Sequence, residues 1–310
     1  MFRLLMFVAG LLANQLTFAD RYTGPIIDAM AQYSKGIPVD SVIKNYQLAG
    51  VTAALMYPGP GIKEFTSIVT KSDGLIVPLD TSKAYSKPEN QFLEISSIQN
   101  AVGLGEVIVQ HYPMKGDFGF GPYEFKGFTT RLKDHPAVVK GVERKYPIFL
   151  HLEVREFPDQ YETVMRDLEE LLSSYPDISF ILVSLGQVDG RTLESLFSKY
   201  HNLFVTTGFT TGITKKQQAN FKAKGGIVSQ NWINMHRNGS WRPEWKGLIE
   251  RYPDRFLLSF YNVFRPHYEF RMHKLNDFFM RNLGELEYSV ANLLACGNAQ
   301  RLFDLKISCR

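Results

Sequence analysis

A single (β/α)8 barrel, the TIM-barrel architecture, is the fold class this sequence predicts, and three observations carry the prediction. Eight short apolar runs recur along the chain, each entered from a turn and left toward a polar segment. Stretches with apolar residues at three- and four-residue spacing lie between many of them. No glycine-rich phosphate loop follows the first run, and no linker divides the chain. Continuous apolar and β-branched runs fit strands buried on both faces of a parallel sheet. Strands alternating with helices fit right-handed βα units. An open doubly wound sheet is the competing arrangement, and it would favour a glycine-rich turn after the first strand.

In chain order the runs are 25–29 (PIIDA), 51–57 (VTAALMY), 74–79 (GLIVPL) and 102–110 (VGLGEVIVQ). They continue with 146–153 (YPIFLHLE), 178–185 (ISFILVSL), 203–207 (LFVTT) and 256–261 (FLLSFY). The clearest helical pattern covers 158–175, where Tyr161, Val164, Met165, Leu168, Leu171 and Leu172 share one face. Leu193, Leu196 and Phe197 mark a helix before the seventh run, and Trp245, Leu248, Ile249 and Tyr252 mark one before the eighth.

The first 19 residues read as a signal peptide rather than as part of the fold. Arg3 gives a positive start, residues 4–13 (LLMFVAGLLA) form an apolar run, and Thr17-Phe18-Ala19 offers small residues for cleavage. Ten apolar residues fall short of the roughly 20 that span a bilayer. The expectation is export to the periplasm or beyond, with a mature barrel of residues 20–310 beginning at Asp20 and no membrane contact after cleavage. A formal charge of +4 gives no case for nucleic acid. The densest basic cluster (Lys215, Lys216, Lys222 and Lys224) reads as a solvated helix face. Cys296 and Cys309 either close a loop in an oxidising compartment or remain a buried thiol and a tail thiol.

Several segments, taken in order, carry a resemblance. They are Gly24-Pro25-Ile26-Ile27-Asp28-Ala29, Gly103-Leu104-Gly105-Glu106, Tyr175-Pro176-Asp177 before Ile181 to Gly186, Tyr252-Pro253-Asp254-Arg255-Phe256-Leu257-Leu258, and Gly297 to Phe303. Together they resemble the amidohydrolase-related family, the barrel group that includes aminocarboxymuconate semialdehyde decarboxylase and many small-acid hydrolases. The resemblance implies a divalent metal at the C-terminal mouth, held by two histidines of the first strand, one each of the fifth and sixth, and an aspartate of the eighth. Here those positions read Met30, Gln32, His151, Ser184 and Tyr261, so four of the five implied ligands are replaced. A thioether, an amide, a hydroxyl and a phenol are poor donors for Zn2+ or Mn2+. The expectation is therefore no metal and no cofactor; an unorthodox Zn2+ or Mn2+ site serving an active hydrolase or lyase is the alternative.

The polar residues expected at or near the strand C-terminal ends are Glu106, His151, Glu153, Ser184 and Tyr261. His151 and Glu153 are two apart on one strand and can face the same side. A carboxylate beside an imidazole tunes a general base, which makes Glu106, His151 and Glu153 the catalytic candidates. The competing reading is a hydrogen-bonded remnant that holds the mouth together. Met30, Gln32, Ser184, Tyr261 and His111 are the candidate ligand-binding residues, joined by Arg265 and His267 from the segment after the eighth run. With Tyr268 and Arg271 nearby, that segment suits a carboxylate ligand or, equally, an exposed helix start. The expected partner is a small molecule, with a carboxylate among the choices, and a homo-oligomer is compatible with the sequence.

Overall fold

A computed structural model describes residues 21–34, 36–59, 64–82, 95–96, 98–110, 131–208, 210 and 232–309. The predicted leader, His111 and the Lys215 cluster lie outside them. The strands are β1 (Ile26–Tyr33), β2 (Val51–Pro58), β3 in two segments (Ile76–Pro78 and Asp80–Ser82), β4 (Leu104–Ile108), β5 (Ile148–His151), β6 (Phe180–Leu182), β7 (Leu203–Thr206) and β8 (Phe256–Leu257). Neighbours among these strands pair in parallel, in chain order. β3 bridges two sheets across Leu79, whose N–H bonds the Met56 carbonyl at 2.8 Å while the Asp80 N–H bonds Gly103 at 2.9 Å. The last strand then meets the first. Ala29 N–H donates to the Leu258 carbonyl and Gln32 N–H to the Asn262 carbonyl, each at 2.8 Å, and Ala31 bridges Asn262 in parallel.

The outer layer consists of α1 (Val39–Leu48), α2 (Phe65–Lys71), α3 (Pro136–Glu143), α4 (Tyr161–Ser174), α5 (Gly190–Lys199), α6 (Pro243–Arg251), α7 (Met272–Leu283), α8 (Tyr288–Asn292) and α9 (Asn298–Leu302). α4 buries Val164, Met165, Leu168, Leu171 and Leu172, the stripe its periodicity predicts. It starts three residues later than the pattern suggests, because Pro158–Gln160 form a 3-10 turn first. α5 is capped by Asp189, whose carboxylate accepts from the N–H groups of Arg191 and Thr192. Among the described residues no helix is long and apolar enough to cross a membrane.

Alternation along the strands sorts the core into two shells. Ile27, Ala53, Leu55, Leu79, Phe149, Ile181, Phe204 and Leu257 fill the barrel interior. Ile26, Ala54, Met56, Leu104, Ile148, Leu150, Phe180, Leu182 and Val205 face the helices. The C-terminal segment closes the bottom of the barrel. Phe303 stacks on Phe149, with centroids 5.7 Å apart and planes 8° apart, beside Gly103 at the start of β4. Cys296 and Cys309 form a disulfide with a Cα separation of 5.6 Å, which decides between the two readings of these cysteines. Closing a loop 13 residues long contributes about 3 kcal/mol in the chain-entropy picture.

Strand ends depart from the apolar runs in both directions. β1 continues to Tyr33, four residues past the run, while β6 stops at Leu182 and β8 at Leu257. Side chains compete with the ladder at the shortened ends. Thr206 Oγ1 accepts the Ser184 N–H at 2.9 Å, and the chain there turns left-handed at Ser184, Leu185, Gly186 and Gln187. After β8, Ser259 Oγ accepts the Tyr261 N–H at 3.0 Å and donates to the Met30 carbonyl at 3.0 Å.

Candidate functional site

Two bulges decide which side chains enter the mouth. On β1, Asp28 lies opposite Ala54 and Ala31 opposite Met56, so β1 carries one residue more than β2 over that interval. Asp28 consequently points to the helix layer, where Tyr46 of α1 donates to its carboxylate at 2.8 Å. Met30 packs in the interior shell, and Gln32 reaches within 3.4 Å of Tyr57 Oη. On β4 a second irregularity falls between Leu104 and Val107, and it turns Glu106 inward. Gly105 permits this approach, since a Cβ there would lie 2.7 Å from the Tyr57 ring.

The result is a closed polar cluster. Glu106 Oε1 contacts His151 Nδ1 and accepts from Tyr261 Oη at 2.6 Å, while Glu106 Oε2 accepts from Tyr57 Oη. His151 Nε2 faces Glu153 Oε1 at 2.9 Å. The side chains of His151, Glu106 and Glu153 are 5%, 3% and 2% exposed, so these contacts form away from bulk water. Glu153 lies beyond the end of β5, at the entry to a 3-10 turn, and not on the strand as expected. Its carboxylate still meets the imidazole.

Burial alone would lower the His151 pKa. The charge and hydrogen bond of Glu106, with Glu153 behind them, outweigh it and raise the group to about 10. Burial likewise pushes Glu106 up, but the His151 charge and the bonds from His151, Tyr261 and Tyr57 bring it below its ordinary value. At neutral pH the pair is imidazolium and carboxylate. Tyr261 is held with φ +50°, a strained conformation for a large side chain, which aims its phenol at Glu106.

No protein-family model matches the chain, and no curated protein matches it. Among solved structures, an uncharacterized TIM-barrel protein from Bordetella bronchiseptica is 9% identical over 90% of this chain and 98% of its own, with a TM-score of 0.50. The fold is a TIM barrel. A uronate isomerase from Bacillus halodurans C-125 is 12% identical over 87% of this chain and 69% of its own, with a TM-score of 0.48.

In a TIM barrel, sites are built at the C-terminal ends of the strands. Tyr57, His151 and Tyr261 lie at or just beyond the ends of β2, β5 and β8. Of the residues singled out from sequence, Glu106, His151, Glu153 and Tyr261 come together, with Gln32 at the edge beside Tyr57. Ser184 is buried on its left-handed turn, and among the described residues no hydrogen bond links it to the cluster. Arg265 and His267 are engaged elsewhere. Arg265 is exposed and pairs with Glu269 at 2.6 Å. His267 Nδ1 accepts the N–H groups of Val263 at 3.2 Å and Phe264 at 3.5 Å. Burial, and then the Arg271 charge, lower the His267 pKa to about 3, so it is a neutral helix-start acceptor. Tyr57 escaped the sequence reading, although its place as the last residue of an apolar run is the signal that would have found it.

The residues present do not fit a divalent ion of the kind the resemblance implies. Both imidazole nitrogens of His151 face carboxylate oxygens. Met30, Gln32, Ser184 and Tyr261 supply no imidazole or carboxylate. Among the described residues, no group of three or more His, Cys, Asp or Glu is placed to hold a metal.

Proposed function

We propose that this chain is an exported, amidohydrolase-like barrel whose mouth takes a small molecule without a resident metal ion. The observation that carries the reading is His151, clamped through both ring nitrogens by the buried carboxylates of Glu106 and Glu153. A histidine held as imidazolium is a fixed positive charge and hydrogen-bond donor, not a proton acceptor at neutral pH. Glu106 fixes its position and is itself held by the phenols of Tyr57 and Tyr261, one on each carboxylate oxygen. Tyr261 and His151 converge on one oxygen of Glu106, so the three groups form a fixed donor–acceptor cluster that needs no metal ion to hold it.

Elemental analysis of the purified, dialysed protein tests this directly. The expected content is far below one zinc or manganese per chain, and a stoichiometric ion would overturn the reading. Export rests on residues 1–19. N-terminal sequencing of the protein recovered outside the cytoplasm should begin at Asp20, and a start at Met1 removes cleavage from the proposal.

A further inference from the structure

We infer that residues 304–309 form a strap beneath the barrel floor that shuts only when Cys296 and Cys309 are joined, so that oxidation sets a latch the rest of the fold does not need. The inference concerns the floor and stands apart from the reading of the mouth. The strap leaves α9 at Asp304, which is held at φ +46°, a conformation that a residue with a side chain adopts at a cost. Beyond this hinge, none of residues 305–309 belongs to a helix or a strand. Leu305 and Cys309 turn inward and are buried with the interior shell, and Ile307 packs against it. Asp304, Lys306 and Ser308 stay exposed.

Among the described residues, three hydrogen bonds tie the strap to the body. The Leu305 N–H donates to the Gln300 carbonyl at 3.0 Å, Gln300 Nε2 donates to the Ile307 carbonyl, and Asn292 Nδ2 donates to the Cys309 carbonyl at 2.6 Å. Gln300 and Asn292 are only half-buried, so water replaces these bonds at little net cost when the strap lifts. Ordering the strap costs entropy at every residue, which so few contacts barely offset. The disulfide weakens that opposition by keeping Cys309 beside Cys296 whatever the strap does. The body keeps its own contacts. Phe303, ahead of the hinge, stacks on Phe149 and donates its N–H to the Ala299 carbonyl at 3.1 Å, and Asn298 Nδ2 ties α9 to the Phe256 carbonyl at 2.9 Å. Closing the latch passes two electrons and two protons from the thiols to a disulfide-bearing oxidant, which leaves as a dithiol. Cys296 and Cys309 are then 0% and 5% exposed, out of reach of an attacking thiolate, so the latch protects itself once set.

The test removes the bond and asks where the strap goes. In Cys296→Ala the Cys309 thiol rides on the strap, and iodoacetamide should label it in the folded chain within about tenfold of its rate in concentrated urea. In Cys309→Ala, trypsin should cut after Lys306 at least about tenfold faster than in the oxidised wild type, read by mass after reduction. A dithiol reductant without denaturant should leave the wild-type bond intact over hours. Slower labelling of Cys309, or a Lys306 bond cut no faster than in the wild type, shows the strap shut without the disulfide and overturns the inference. Should Cys296→Ala fail to fold, Cys309→Ala decides by itself. Loss of the barrel's far-ultraviolet signal in both variants also overturns it, because the bond then holds the whole fold and not the strap. Rapid reduction of the folded wild type overturns the self-protection of the latch.

Discussion

Glu106→Gln is expected to cost about 3–5 kcal/mol of stability, the range for removing one partner of a buried ion pair. The glutamine removes the charge that opposes His151, a side chain only 5% exposed. Its amide group would also point N–H donors at a position now reached by three donors, from His151, Tyr261 and Tyr57. Urea unfolding reads the effect as a lower midpoint at unchanged slope. Glu269→Gln is the control, because it breaks the Arg265–Glu269 pair, whose arginine side chain is 58% exposed. Such a pair is worth less than about 1 kcal/mol. A Glu106→Gln protein as stable as the control would show that the cluster is not held together by this pair.

Stability should also fall steeply as the solution becomes alkaline. His151 titrates near 10 in the folded chain and near 6.5 when unfolded. Below about pH 6.5 both states carry the proton, and the contribution of this group is fully present. Above it the unfolded chain releases the proton first, and up to about 1.4 kcal/mol is lost per pH unit until the folded group titrates. Asp28 acts in the same direction in a lower window. Burial raises it to about 7, against the bonds it accepts from Phe260, Tyr46 and Met30, so its share is lost between about pH 4 and 7. Glu106, lowered in the folded chain, runs the other way: its share is present above its unfolded value and is lost as acid titrates the folded carboxylate. Urea midpoints between pH 7 and 9 separate the groups. His151→Gln should flatten the slope in that interval, and an unchanged slope would assign it to other residues.

The barrel was legible in the sequence because each buried strand is a nearly continuous apolar run, and such runs announce themselves whatever their register. His151 and Tyr261 were legible for a related reason, since polar residues closing apolar runs fall at or near strand ends, whereas Glu106 stood out as a lone carboxylate inside the fourth run. The bulges were not. A one-residue slip on β1 sends Asp28 out and leaves Met30 and Gln32 in, and period-two reading carries no mark of where the slip occurs. Glu153 meets His151 as expected, but from a 3-10 turn beyond the strand, where the two-apart argument no longer applies. Arg265 and His267 were misleading because local partners claimed them: Glu269 one helical turn on, and the backbone N–H groups at the helix start. Those short-range contacts depend on exact helix phase, which composition does not reveal.

The seam between β1 and the segment after β8 has a consequence for how the molecule is assembled. Ser259 and Met30, joined across it, are 229 residues apart. A chain made from its N-terminus therefore carries β1 with one edge unpaired until nearly all of the sequence has arrived, an arrangement that slows completion and leaves that edge open to other partners. Gln32 on one side of the seam and Tyr261 on the other also border the mouth. No shorter fragment can present both in register, so binding at the proposed site would be a gauge of the finished ring. Any truncation that removes the last strand should abolish affinity as a whole and not in part.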